Sequence, residues 1–393
     1  MVKNYMAIIY VGEGNENISP LTKARSLASI PVGGSYRIID FALSNVVNAG
    51  IRNVGLFCGN EELNSLTDHI GNGFAWDLAR KKDGIFIFKQ MMDNHSSSGR
   101  SRIHKNMEYF FRSSQEKVIV LNSHMVCNLD VNDLIEKHEA SGKEITMVYK
   151  KVKDAHEHFN HCSSVKIDEK NRVLGIGQNL FFHEEENISV DAFVISKELV
   201  LKLLIDSIQE GDYNTLPELV AKKLPSLNVN AYEFTGYLQC INSTREYFDF
   251  NMKILQKDIR EDVFGVVSGR NILTKVKDTP PSLFKSTALV ENSLISNGCI
   301  IEGTVKNSIL SRGAVVEKGV VLEDCVILQD CHIRKGAVLK NVIVDKNNVI
   351  HEHEKLSASK DYPLVIEKSM TWDSRLLSST SVKKRNLLLW KSE

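Results

Sequence analysis

The residues able to do chemistry in this chain sit where short apolar runs end. The run Tyr5–Val11 is apolar throughout and leads into Gly12-Glu13-Gly14-Asn15-Glu16-Asn17. Glycines spaced in this way after a strand let backbone N–H groups approach a phosphate closely, some of them at positive φ. Gly12, Gly14 and Asn15 could supply such a backbone, because asparagine tolerates that conformation. Glu13 and Glu16 bring the wrong sign of charge for a polyanion, so a plain strand-to-helix loop is the competing reading. Two basic clusters could also hold an anion: Lys23 with Arg25, and Arg100 with Arg102. A solvated surface turn and an exposed basic loop are the plainer accounts of these. Val118–Leu121 runs into Asn122-Ser123-His124, which places Ser123 and His124 at the carboxyl edge of a sheet. His332 is a lone histidine that an acyltransferase could use and that a structural or exposed role explains as well.

Composition narrows the classes. Of 393 residues, 42% are apolar and 25% charged, ordinary for a globular chain with room for two cores. Lys+Arg and Asp+Glu both total 49, so no net field draws the chain to nucleic acid or an anionic membrane. The seven cysteines (58, 127, 162, 240, 299, 325 and 331) contain no CxxC pair. Thiols spaced in this way imply a reducing compartment, with neither a disulfide frame nor a zinc site. Met6–Val11 is too short for a signal h-region and no run nears membrane length, so a cytoplasmic protein is expected.

The elements that must position these residues alternate between strand and helix as far as about Leu255. Tyr5–Val11, Val54–Cys58 and Val118–Leu121 read as parallel strands covered on both faces. Leu129–Gly142 reads as a helix with Asp130 as N-cap and Gly142 past its end. Thr215-Leu216-Pro217-Glu218 fits a capping box opening another helix. Positions 38, 39, 41, 42, 43, 46 and 47 define the broad apolar face of a third, with Arg37 and Asp40 placed to pair on its flank. This alternation predicts a doubly wound, Rossmann-like α/β domain over 1–264, followed by a linker over 265–284.

From 285 the period changes. Aliphatic residues recur every six positions at Ile295 and Ile301, at Leu310, Val316 and Leu322, at Ile327, Ile333 and Leu339, and at Val344 and Ile350. Turn formers such as Gly298, Gly313, Gly319, Gly336 and Asn347 fall between them. A hexad period predicts a parallel β-helix with one inward aliphatic per face, its coils stacked on their neighbours. The register slips, by nine residues from Ile301 to Leu310 and by five from Leu322 to Ile327, so the helix should be irregular. The alternative, an ordinary β-sandwich, calls for period-two alternation.

The stretch from Pro31 to Asn45, Pro-Val-Gly-Gly-Ser-Tyr-Arg-Ile-Ile-Asp-Phe-Ala-Leu-Ser-Asn, closely resembles the signature of ADP-glucose pyrophosphorylases (glucose-1-phosphate adenylyltransferases). The resemblance spans nearly the whole chain and is strongest over 20–57, 236–255 and the hexad region. It implies a nucleotidyltransferase-like domain followed by a left-handed parallel β-helix. It also implies a reaction between ATP and glucose 1-phosphate. Such a reaction needs backbone N–H groups around a triphosphate, cations to offset its charge and carboxylates to hold a divalent metal. Aligned on Pro20-Leu21-Thr22, the family's phosphate-loop arginine falls on Asn17 and the lysine after it on Leu27. The two metal aspartates fall on Ser123 and Cys240, and the sugar-phosphate lysine on Gln178. Arg100 and Arg102 fall where the family has Gly-Thr-Ala-Asp-Ala.

None of the five replacements carries the charge that its position asks for. The resemblance therefore implies a non-catalytic, regulatory subunit of the GlgD type, binding no productive Mg²⁺ itself while its catalytic partner does. Members of the family form tetramers, which implies a hetero-oligomer with a catalytic paralogue and a small-molecule effector, for which Arg37, Arg100 and Arg102 are candidate contacts. Residues 285–393, including the apolar tail Asn386-Leu387-Leu388-Leu389-Trp390, are expected to carry much of the contact. Two alternatives stay open. One is an active pyrophosphorylase with Arg25, Arg37 or the Arg100/Arg102 pair standing in. The other is a hexapeptide-repeat acyltransferase.

Overall fold

The computed structural model describes residues 2–12, 16–59, 63–89, 107–153, 155–160, 162–178, 184–211, 214–369 and 371–372. Its chain divides into two compact units. The first comprises Met1–Ile30, Tyr36–Phe250 and Gln256–Val276; the second comprises Pro31–Ser35, Asn251–Leu255 and Lys277–Glu393.

The first unit is built on a nine-stranded mixed sheet. Its strands are β1 (Tyr5–Val11), β2 (Asn53–Cys58), β3 (Gly84–Lys89), β4 (Lys117–Asn122), β6 (Ile145–Lys153), β7 (Ser163–Ile167), β8 (Val173–Gln178), β9 (Glu185–Ser196) and β10 (Val229–Glu233). A separate two-stranded ladder pairs β5 (Met125–Cys127) with β11 (Leu238–Cys240). The order β8-β7-β9-β4-β1-β2-β3 runs along the sheet, with β6 pairing to β9 and β10. Strands β4, β1, β2 and β3 are parallel, while β9 runs antiparallel beside β4. The chain passes from β1 outward to β2 and β3 and then returns to place β4 on the other side of β1. Strand order reverses between β1 and β4, and ligands in open α/β sheets bind beyond the carboxyl ends at such a point.

Strand β1 shows why its sequence is apolar throughout. Tyr5, Ala7, Ile9 and Val11 enter the core on one face of the sheet, and Met6, Ile8 and Tyr10 enter the core on the other. Helices cover both faces, among them α1 (Ile38–Asn48), α2 (Asn64–Ile70), α3 (Val131–Ser141), α4 (Lys197–Glu210) and α5 (Leu216–Lys223). The expected caps are present. The Asp130 carboxylate accepts from the N–H groups of Asn132 and Asp133, and Gly142 closes α3 at φ +60°. Thr215 and Glu218 form the capping box of α5. Beyond α6 (Thr244–Lys253) and α7 (Lys257–Val263), residues 265–276 are held against this unit. Asn128 Nδ2 donates to the carbonyls of Val263 and Arg270, and the Leu273 N–H donates to Ser44 Oγ.

The second unit is a parallel β-helix of three stacked sheets. One carries Ile300–Ile301, Val315–Val316, His332–Ile333 and Val349–Ile350; the next carries Thr304–Lys306, Val321–Glu323 and Val338–Lys340; the third carries Ile309–Leu310, Val326–Ile327 and Val342–Val344. The irregularity expected from the hexads has a definite form. Three full hexads would make a coil of about 18 residues, whereas register partners here stand 17 apart, as in Ile309 with Val326 and Val326 with Ile343. Each 17-residue coil therefore takes two steps of six and one of five. The nine-residue gap after Ile301 hides an inward residue absent from the hexad series, the fully buried Val305. Steps of four and five around Val305 shorten that coil to 15, and Leu294 pairs with Ile309 accordingly. Corners are made by residues at positive φ in equivalent places, such as Asn307, Asp324 and Asn341. Asparagine and aspartate are the non-glycine residues that visit this region most readily.

Gly303 occupies the shortened corner. A Cβ there would lie 2.6 Å from the carbonyl oxygen of Val320 and 2.8 Å from that of Glu317, both backbone atoms. Gly303→Ala is therefore expected to destabilise the β-helix by about 1–3 kcal/mol. Thermal unfolding of the purified variant checks this, and an unchanged midpoint would show that the coil relaxes freely.

Candidate functional site

The carboxyl ends of β1 and β4 and the start of the β5–β11 ladder meet at the point where strand order reverses. Gly12 follows β1 at φ +116°, a backbone that side chains other than glycine's rarely permit. Gly14 and Asn15, with Glu13, lie outside the described residues. The Ser123 N–H donates to the Tyr10 carbonyl at 3.0 Å, which ties the end of β4 to β1. Two residues further on, Met125 is the register partner of Cys240, and the Ile241 N–H donates to the His124 carbonyl at 2.9 Å. Gln178 closes β8 opposite Ser163, beside Cys162, whose thiol is hydrogen-bonded to that of Cys240. Asn17 is exposed in a single 3-10 turn, and its carbonyl accepts from Thr244 Oγ1 at 3.5 Å, just past Cys240. Ser123 and Cys240 are thus brought to one end of the β5–β11 ladder, which Gln178 and Asn17 reach only through Cys162 and Thr244.

The fifth, Leu27, is fully buried in a turn packed against helix α1. Arg25 is 2% exposed, so the surface-turn reading does not hold for it. Lys23 is exposed, as that reading expects. Arg100 and Arg102 lie outside the described residues, as does the tail 386–390.

The groups at the strand ends are neutral and buried. Ser123 is 2% exposed, and its hydroxyl has no hydrogen-bond partner among the described residues. Cys240 is fully buried. The hydrogen bond to Cys162 pushes its thiol well above the usual range, and burial and the nearby carboxylates of Asp191 and Glu246 push it the same way. It is therefore a protonated thiol at neutral pH. A hard cation such as Mg²⁺ takes oxygen ligands, usually with one or two carboxylates among them. A serine hydroxyl and a protonated thiol offer it neither charge nor, at the sulfur, the right atom.

Carboxylates do lie close by, and no periodic pattern in the sequence points to them. The register of β9 shifts between Ser189 and Phe193, and inside that irregularity Asp191 stands at φ +53°. Its carboxylate accepts from Ser189 Oγ at 2.7 Å and faces His124 Nε2 at 3.4 Å. Glu246, on α6, is 5% exposed and accepts from Gln239 Nε2. A bulge that re-aims one side chain leaves no periodic trace in a sequence. Only the short Ser189-Val190-Asp191 pattern hints at it.

Arg37 and Asp40 have a different arrangement from a surface pair. The guanidinium of Arg37 donates to the carbonyl and hydroxyl of Ser65, at 2.7 and 2.8 Å. The fully buried carboxylate of Asp40 accepts from the Arg37 N–H at 2.9 Å and lies 2.6 Å from His69 Nε2. Burial pulls the His69 imidazole below its ordinary range, against the opposing pull of Asp40, so the neutral ring donates through Nε2. The conspicuous Arg-Ile-Ile-Asp run thereby fixes the start of α1 and joins it to α2. His332, the other candidate, lies 2.6 Å from Oε1 of Glu317, which follows the neighbouring strand Val315–Val316, and is held in that pair. Replacing Asp40 by Asn removes two charge-assisted bonds from a dry site and should cost about 1.5–3 kcal/mol. Chemical denaturation of Asp40→Asn measures this, and a loss near zero would show that α1 is held elsewhere.

Comparison with known proteins agrees with this architecture. Residues 6–176 match the nucleotidyl transferase family, and residues 282–361 match the family described as GlmU-like, C-terminal hexapeptide. The glycogen biosynthesis protein GlgD of Bacillus subtilis (strain 168) is 34% identical over 305 residues, covering 77% of this chain and 78% of that protein. The protein of the same name from Geobacillus stearothermophilus is 33% identical over 309 residues, with the same coverage. With a nucleotidyltransferase domain, a left-handed β-helix and relatives matched over more than three quarters of their length, the chain belongs to the GlgD family of glycogen biosynthesis proteins.

Proposed function

We propose that this chain is a non-catalytic regulatory subunit of ADP-glucose pyrophosphorylase. It assembles in the cytoplasm with a catalytic paralogue and adjusts that partner's synthesis of ADP-glucose from ATP and glucose 1-phosphate. The observation that carries the reading is the pair of strand ends at the switch point. They present a buried serine hydroxyl and a buried protonated thiol where the reaction calls for two metal-holding carboxylates. Leu27 adds to it, because a fully buried aliphatic side chain offers a phosphate no charge. Loss of one transition-state contact of this kind typically costs about 3 kcal/mol, about a hundredfold in rate. Several losses together leave no meaningful turnover even when they do not add.

On this reading Mg²⁺ belongs to the partner's site, and the chain acts by favouring one of the partner's conformations through contacts that differ between its states. The β-helix and the segment following it are the proposed contact surface, since stacked coils leave flat faces and an end suited to another protein. The competing reading, an active enzyme with substituted groups, draws on Asp191 as a displaced carboxylate. One experiment separates them. The purified chain, given ATP, Mg²⁺ and glucose 1-phosphate, should release no pyrophosphate alone, yet should change the kinetics of the co-purified catalytic paralogue. Appreciable turnover by the chain alone would overturn the regulatory reading, and so would a failure to co-purify.

Restoring only the metal ligands should not suffice. Ser123→Asp with Cys240→Asp returns two carboxylates but leaves Asn17, Leu27 and Gln178 without charge for either phosphate substrate. It also places two carboxylates where the native side chains are at most 2% exposed, at a cost in stability. The double variant is expected to stay inactive in the pyrophosphate assay. Robust turnover would show that the missing cations matter less than the missing metal ligands.

A further inference from the structure

Beside the buried thiol, three side chains converge that none of the foregoing chemistry uses. His158 closes a helical turn at Ala155–His158, while Glu246 and Asp249 lie three apart on α6 and so project from one face of it. One donor atom from each, an imidazole nitrogen and two carboxylate oxygens, falls within 4.8 Å of the other two. The His158 Nδ1 atom is shielded from solvent yet has no hydrogen-bond partner among the described residues. It faces Glu246 Oε1 at 3.7 Å, too far for a hydrogen bond and close to the separation of two ligands on one metal.

The groups behind this cluster orient it. Tyr237 donates its hydroxyl to Gln239 Oε1 at 2.8 Å, and Gln239 Nε2 donates to Glu246 Oε2, which leaves Oε1 turned toward His158. The other ring nitrogen of His158 lies 3.9 Å from the Glu157 carboxylate, and Arg245 Nε lies 3.7 Å from Asp249 Oδ2. Metal-ligating carboxylates are themselves generally hydrogen-bonded, as Glu246 is here.

We propose that His158, Glu246 and Asp249 bind a divalent first-row transition ion of the Zn²⁺ or Mn²⁺ type. One imidazole with two carboxylates suits such ions better than Mg²⁺, which seldom takes nitrogen. Three protein ligands leave further positions to water. The ion bridges the 155–158 turn to α6 immediately after Cys240, and it does not depend on whether the chain is catalytic. A bound cation would offset the charge of the two carboxylates that share this corner.

The test uses the full, untagged chain stripped by chelator and titrated with ZnCl₂ by calorimetry, with MgCl₂ as a parallel arm. One equivalent of Zn²⁺ should bind, and Mg²⁺ should bind far more weakly. His158→Ala and Asp249→Asn, both at partly exposed positions, should each weaken Zn²⁺ on the order of tenfold or more, with circular dichroism unchanged. The conservative Glu246→Gln, at the buried ligand, should do the same. His156→Ala, at the exposed neighbouring histidine, should leave binding intact. Absence of a stoichiometric site, Zn²⁺ binding unchanged in the His158 and Asp249 variants, or a preference for Mg²⁺ would each overturn the assignment.

Discussion

A dry polar group must be paired or neutral, and the buried groups around the candidate site in the first unit follow that constraint. The Asp40 carboxylate is fully buried, and it is held by the Arg37 N–H and His69. Asp191 is held by Ser189 and faces His124, and Glu246 is held by Gln239. Elsewhere the buried residue is neutral: leucine at 27, serine at 123, a protonated thiol at 240. Desolvating an isolated carboxylate or ammonium is so costly that such groups neutralise or acquire a partner. A site that holds ATP and a metal is an exception that its ligands make tolerable. On the proposed non-catalytic reading, which lifts the demand for charge at these positions, the same constraint favours the neutral residues at 27, 123 and 240.

The β-helix answers to a different constraint, the length of chain needed to turn three corners. Coils of 17 residues keep an inward aliphatic on each face only if one corner per coil is a residue shorter than the hexad. Positive-φ residues make the corners feasible, and the column Asn307, Asp324, Asn341 repeats at the coil length. Side chains add lateral ties between coils, as in Lys285 with Glu302 and Lys340 with Glu323. These ties are solvent-exposed and contribute little each. The stacked core of Ile301, Val305, Leu310 and their equivalents is what holds the unit together.

Much of this was legible in the sequence because it is periodic. Strand β1 could be read from seven consecutive apolar residues, since both of its faces are buried, and α3 and α5 from caps with a local mechanism. The hexads announced the β-helix, and their slips announced its irregularity. Val305 escaped because it falls four residues after Ile301, outside the period that identified its neighbours. The candidate site was legible only in part. Ser123 could be placed from the end of an apolar run, but Cys162, Asp191, His158 and Glu246 reach the same region from separate elements. Their convergence depends on tertiary pairing, such as the β5–β11 ladder and the shifted register of β9. Arg37 and Asp40 were read as neighbours on a helix flank, whereas backbone capping and α2 claim them instead.

The pattern of replacements bears on what the fold is for. The segment Tyr36–Asn45 does structural work: Arg37 and Asp40 lock α1 to α2, Ser44 bonds Leu273, and Asn45 bonds Cys127 and Leu129. Each of these links ties the helix to another part of the same unit, so a change at one is felt across it. Of the phosphate and metal positions, Leu27, Ser123 and Cys240 are buried and carry residues that a core accepts, whereas Asn17 and Gln178 are exposed. Buried aliphatic, hydroxyl and thiol groups pack without the repulsion that neighbouring carboxylates and cations impose on an empty catalytic site.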